Sequence, residues 1–164
     1  MTLRVDAQRN LDRVLDAAGE CFAEQGLDVT IDEIAKRAGV GHGTVFRNFP
    51  TKHDLVVAVL NERIRELTEV ALAAGDEPDP WEGFAGFFRQ AAAQYAANLA
   101  LIEGLEPCEG TPEKGELGHA VEQLEQRAQG AGTLRADVTA EDVMMLVPTA
   151  AHYPEIVLDG LRVA

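Results

Sequence analysis

Between Thr30 and Pro50 the sequence prescribes two short helices and a tight turn between them. Thr30-Ile31-Asp32-Glu33 has the T-x-x-E form of a capping box, in which hydroxyl and carboxylate each satisfy an orphan backbone N–H at a helix start. The helix that follows turns Ile34, Ala35 and Ala38 inward and stops at Gly39. After Gly41-His42-Gly43 a second helix is expected over Thr44 to Phe49, closed by Pro50. Two helices joined so tightly need a small residue where they cross, a glycine in the turn and a β-branched residue packing back from the second helix. Ala35, Gly39 and Val45 meet these demands at spacings of four and six, with Ile31 and Ile34 as the apolar anchor. The pattern predicts a helix-turn-helix, although an ordinary helical hairpin satisfies the same positions.

Helical periodicity continues on both sides. Leu11, Val14, Leu15, Ala18 and Phe22 recur at three and four, predicting a helix from about Ala7 to Gln25, with Gly26 as its C-cap. Cys21 beside that stripe reads as a small buried hydrophobe. Thr51 caps a long helix over Lys52 to about Ala74, striped by Leu55, Val56, Val59, Leu60, Ile64, Leu67 and Val70. Gly75-Asp76-Glu77-Pro78-Asp79-Pro80 is a linker. Trp81 to about Ile102 forms the next helix, with Trp81, Phe84, Phe88, Ala92, Tyr95, Leu99 and Ile102 on one side. Glu106 to Gly115 reads as a loop. A helix follows with Leu117, Val121, Leu124 and Ala128, ending near Gly130 to Gly132. Thr139 caps another, with Val143, Met144, Leu146 and Val147 apolar, and Pro148 and Pro154 are expected to interrupt it. No strand pattern and no repeat stands out. The fold class is all-α: an N-terminal three-helix helix-turn-helix domain over 1–50 and a C-terminal helical regulatory bundle over 51–164.

Composition removes most chemistry. The 164 residues contain no serine, which excludes serine nucleophiles. The four histidines form no H-x-x-x-H pair, and two cysteines make neither a disulfide framework nor a zinc set. The glycine-rich GVGHGT at 39–44 follows a helix, lacks the third glycine of a Rossmann turn and lacks the GK[ST] of a P-loop. No acid–base or nucleophile–base pair stands out. The chain is expected to be no enzyme, with no catalytic residues, metal or cofactor. Its longest apolar run, Leu55 to Leu60, is far shorter than a membrane span, and no secretory h-region opens the chain. A cytoplasmic protein with no membrane partner is expected.

Charge is uneven. The chain carries 14 basic and 28 acidic residues, a net of −14. Residues 1–60 hold 7 basic and 9 acidic, a net of −2; residues 61–164 hold 7 and 19, a net of −12. From Ile34 to His53 there is no acidic residue, while Lys36, Arg37, Arg47 and Lys52 fall there. Screening over about 8 Å at physiological salt lets such a local basic face bind a polyanion that the whole chain repels.

The run TIDEIAKRAGVGHGTVFRNFPTKHDL, residues 30–55, resembles the DNA-binding region of the TetR family of transcriptional regulators. DAAGECFAEQGLDVT at 16–30 is similar to the family's first helix, so the resemblance covers about the first 60 residues. GAGTLRADVTAEDV at 130–143 and VLDGLR at 157–162 look more loosely like segments of its regulatory domains. The resemblance implies a sequence-specific DNA-binding regulator, a repressor held as a homodimer on a double-stranded operator and released by a small-molecule effector. It further implies that Thr30, Thr44 and Lys52 position the DNA backbone and that His42, Arg47 and Asn48 lie at or near the bases; Gly43, which lets backbone approach backbone beside a phosphate, and Phe46 complete the DNA-binding set. Two residues depart from the family pattern. Phe46 stands where many relatives have a tyrosine that bonds a phosphate, a loss of about 0.5–1.5 kcal/mol net. Gly41 replaces a common serine cap, at a few tenths of a kcal/mol.

The resemblance also implies an effector site between helices of the second half, for which Trp81, Phe84, Phe88, Tyr95, Met144 and His152 are candidates, with Phe87 and Met145 beside them. An aromatic stripe at helical spacing is more often the mark of a plain core. Relatives dimerise through their last two long helices, and the prolines here make the second of these look short. The rival reading is a helical ligand-binding or protein-interaction module that does not grip DNA.

Overall fold

The structure, a computed structural model, describes residues 2–104 and 112–163, with side chains from Asp6 onward. Among the described residues eight α-helices follow in chain order: α1 (Thr2–Gln25), α2 (Ile31–Ala38), α3 (His42–Asn48), α4 (Lys52–Ala74), α5 (Pro80–Glu103), α6 (Pro112–Gly130), α7 (Ala140–Ala150) and α8 (Pro154–Leu161). Among the described residues the only extended pairing is an isolated antiparallel bridge between Leu134 and Arg162. The all-α expectation holds.

The chain forms two compact units. The first runs to Glu62 and includes α5 from Asn98; the second takes Arg63 to Ala97 and α6 to α8.

In the first unit, α1 contributes Val14, Leu15, Ala18, Cys21 and Phe22 to a buried cluster. Ile34, Ala35 and Ala38 of α2, Val45 of α3, Leu55, Val56 and Val59 of α4, and Leu101 of α5 complete it. The punctuation is as the residues dictate. Thr30 and Glu33 form the reciprocal capping box that starts α2. Gly39 ends it in the left-handed conformation, φ 65°, its N–H returning to carbonyls of the last turn. A Cβ at Gly39 would sit 2.5 Å from the Arg13 guanidinium, the movable end of a long side chain, so the backbone carries most of any penalty. Gly39→Ala is therefore expected to lower stability by about 1–2 kcal/mol, measured by urea unfolding; an unchanged midpoint would count against a strained turn here.

The second unit is built on α5. Trp81, Phe84, Phe87, Phe88, Ala91 and Ala92 are all buried, joined by Leu67 and Ala71 of α4, Leu117, Val121, Leu124 and Ala128 of α6, Val143 and Val147 of α7, and Leu158 and Leu161 of α8. Thr139 and Asp142 form a second reciprocal capping box at the start of α7.

Several boundaries differ from the sequence reading. Helix α1 begins at Thr2, earlier than expected. Helix α3 also begins early, at His42, because Gly41 takes an extended N-cap conformation and the Thr44 N–H reaches its carbonyl. Residues 112–115 open α6, with Pro112 in the first helical position that tolerates a missing N–H; the remainder of the expected loop, 106–111, lies outside the described residues. Pro148 does not end α7. It lies near the helix C-terminus and removes one backbone bond, while Pro154 begins α8 at a position where no N–H is required.

Candidate nucleic-acid interface

Helix α3 has one fully buried side chain in its middle, Val45, which packs into the core of the first unit. That anchor turns His42, Gly43, Phe46, Arg47 and Asn48 outward, all exposed, with Thr44 half-buried. Phe46 is 56% exposed, a large apolar side chain left in water on the outer face of a seven-residue helix. Burying the ring does not explain its place, so the residue is available for a partner. A Cβ at Gly43 would meet nothing within 4 Å. The absent side chain is no packing demand, and it leaves the backbone open to close approach.

The polar groups are held in definite states. Arg47 donates from Nε to the Gly43 carbonyl at 2.9 Å, and Asn48 donates from Nδ2 to the Thr44 carbonyl at 2.8 Å. Both side chains therefore lie back along α3, and both bonds are to exposed neutral carbonyls. Lys52, at the start of α4, donates from Nζ to the Leu27 carbonyl. His42 meets Asp32 of α2, Nδ1 to Oδ1 at 2.5 Å, and its ring stacks on Phe46 with centroids 6.3 Å apart and planes 14° from parallel.

Thr30 is committed to its cap. Its hydroxyl and backbone N–H donate to Glu33 Oε2 at 2.7 and 2.8 Å, and it accepts from the Glu33 N–H at 3.3 Å. These bonds, the hydroxyl first, hold the Glu33 carboxyl below its ordinary range, helped by the charge of Lys52. Thr51 and Asp54 repeat the arrangement at the start of α4, which lowers Asp54 in the same way.

The basic residues of the acid-free stretch divide. Arg37 is spent on ion pairs with Glu24 at 2.6 Å and Glu20 at 3.8 Å. Among the described residues Arg47 and Lys52 bond to carbonyls, so their charge is not cancelled there by a bonded carboxylate. Burial pushes the Cys21 thiol up, as befits a core residue beside Arg37.

The residues considered for an effector fall in the second unit. Trp81, Phe84 and Phe88 are buried and packed in series, with ring centroids 5.9 and 6.4 Å apart, and Arg162 lies over the Trp81 ring at 5.0 Å. Tyr95 and Met144 are half-buried against the same cluster. His152 is exposed, its ring tilted against Tyr153 in the turn before α8, apart from that cluster. Asp32 joins this candidate set through its contact with His42, a pairing for which the sequence carries no signal. Its partner is ten positions away, and only the turn at 39–41 brings the two helix starts together.

Two family models match the chain: bacterial regulatory proteins of the tetR family over residues 14–59, and the C-terminal domain of SbtR-like transcriptional regulators over 79–163. This chain belongs to the TetR family. The crystal structure of a TetR transcription regulatory protein from Mycobacterium vanbaalenii is 40% identical, with a TM-score of 0.81 over 98% of this chain and 99% of that one. A TetR transcriptional regulator from Streptomyces coelicolor is 28% identical, with a TM-score of 0.70 over 92% and 97%. Among curated relatives, an HTH-type transcriptional regulator of Mycobacterium tuberculosis is 36% identical over 66 residues, 40% of this chain and 35% of that protein. The match thus spans about a third of that relative's length. The family is one of DNA-binding transcriptional regulators, and α2 with α3 is its helix-turn-helix. No helix among the described residues is long and apolar enough to cross a membrane.

Proposed function

We propose that this TetR-family protein is a cytoplasmic repressor that binds a near-palindromic operator as a homodimer and leaves it when a small molecule binds. One observation carries the DNA contact. Helix α3 is pinned by buried Val45 and turns His42, Phe46, Arg47 and Asn48 to solvent, on a face where the charge of Arg47 is not bonded to a carboxylate. In this reading residues 1–50 act on DNA, and 51–164 carry the connector, the effector site and the dimer surface. Thr44 and Lys52 hold the phosphate backbone, Thr30 supports it through the helix start that it caps, Gly43 lets it approach, and His42, Arg47 and Asn48 face the bases with Phe46 stacked on His42. A twofold dimer places two copies of α3 in successive major grooves about 34–36 Å apart.

For the effector, Tyr95 and Met144 are the most accessible of the candidates that pack on the core, half-buried at the margin of a cluster whose wall is Trp81, Phe84 and Phe88. His152, in the turn before α8, would meet the effector from outside that core.

Selection of bound sequences from a random duplex library tests the reading. Enrichment of a twofold-symmetric motif is the expected result. No enrichment even at low salt would favour the interaction-module reading, for which the net charge of −14 and the missing hydroxyl at Phe46 speak. Within the enriched motif, Arg47→Ala is expected to cost about 1–3 kcal/mol of discrimination at one base position, because a guanidinium reads guanine with two bonds. Lys52→Ala should instead weaken all sequences alike and flatten the salt dependence by about one phosphate. An unchanged motif in the first variant, or an unchanged salt slope in the second, would remove that residue from its role.

A further inference from the structure

We infer that Asp32 is a specificity-determining positioning residue: it fixes the His42 imidazole so that Nε2 faces the DNA as a hydrogen-bond acceptor. The inference rests on the DNA-binding reading above and deepens it. An ionised carboxylate accepts hydrogen bonds and donates none. The contact between His42 Nδ1 and Asp32 Oδ1 at 2.5 Å therefore places the imidazole proton on Nδ1. In the neutral ring the other nitrogen, Nε2, is then left with a lone pair. Phe46 stacks on the face of the same ring, so the imidazole is held in its plane from one side and against its face from another.

Asp32 lies in the first turn of α2, where the helix dipole favours a carboxylate, but the dipole does not require a contact to a residue of the next helix. Its side chain is 79% exposed and that of His42 54%, and an exposed pair of this kind contributes little to stability. A carboxylate on a surface meant for phosphates also opposes binding through its charge. Orientation of His42 is what the 2.5 Å contact adds to that helix-start role.

The consequence is a base preference. Acceptors in a protein match donors in the major groove, and the donors there are the amino groups of adenine and cytosine. One column of each operator half-site should favour adenine or cytosine on the contacted strand, as long as the imidazole is neutral.

The test is selection from a random duplex library at about pH 8, on the alkaline side of the usual histidine range, with wild-type protein and the variants H42A, D32A and D32N. In the wild type that column is expected to favour an amino-bearing base about fivefold or more, the factor of a single good hydrogen bond. H42A should flatten it. D32A should flatten the same column, leave the column read by Arg47 sharp, and raise affinity for unrelated DNA, because a negative charge has gone. D32N, with the same shape, offers Nδ1 either an oxygen or an N–H and so admits guanine or thymine to that column. A column that stays sharp in D32A and D32N while H42A erases it would overturn the inference. So would a D32A variant that blurs every column equally and melts earlier, or an H42A variant that changes no column. A wild-type protein that enriches no sequence would bring down the regulator reading, and this inference with it.

Discussion

Phe84→Ala is expected to destabilise the second unit by about 3–5 kcal/mol, the cost of removing a buried aromatic ring and leaving its cavity. Phe84 is fully buried, stacks toward Phe88 and lies beside Trp81, in the middle of the cluster to which α4 to α8 all contribute. The chain's single tryptophan, Trp81, belongs to that cluster, so its fluorescence during urea unfolding reports on this unit. The magnitude separates two roles that the aromatic stripe leaves open. A ring packed on every side loses dispersion contacts all round when it is cut back. A ring that borders an empty effector site has already done without part of them, and a loss below about 1.5 kcal/mol would mean that Phe84 lines free space. Tyr95→Ala and Met144→Ala remove half-buried groups and should cost less. Those two positions are accordingly the better ones at which to seek lost effector response without lost folding.

What the sequence disclosed and what it hid follow from the range of the interactions. Thr30 with Glu33, Gly39 and Pro50 are local signals, each decided within about one helical turn, and the helix-turn-helix could be read from them directly. Apolar periodicity likewise carried α4 and α6. The start of α3 was hidden because Gly41 caps with its backbone alone. Pro148 was misread because its cost depends on distance from the helix end, which the sequence did not show. Helix α5 was read as one stripe, yet Phe87 and Ala91 are buried as well, and Leu101 belongs to the core of the first unit. A helix buried on more than one side has no clean period. At Pro50 the residues mark the end of α3, whereas compactness also counts what packs there, so Leu55, Val56 and Val59 of α4 fall with the first unit. The pairing of Asp32 with His42 was beyond reach, since it depends on how the turn sets two helix starts side by side.

In the homodimer proposed above, Ile156→Glu is expected to shift dimer to monomer at micromolar concentration and to weaken operator binding about 100-fold or more. On α8, Leu158 and Leu161 point into the core, which leaves Ile156 71% exposed. Tyr153 just before the helix and Met145 on α7 are also large apolar groups in water. Burying a side chain of this size is worth about 1.5–3 kcal/mol, and a twofold interface counts every residue twice. Glutamate at 156 reverses the sign of the effect. It would bring two more carboxylates to an interface formed by a part of the chain that already carries 7 basic and 19 acidic residues over 61–164. Loss of the dimer removes the second half-site from reach, and linkage between two sites is worth about 10²–10⁴ in affinity. Light scattering and titration with operator and half-site duplexes provide the reading. Half-site affinity should stay at the wild-type value, because α3 and its supports lie in the other compact unit. If the variant remained a dimer with full operator affinity, the twofold axis would have to lie on a different surface. If both duplexes bound less tightly and the protein melted earlier, Ile156 would be acting in the fold, and the dimer surface would have to be sought away from α8.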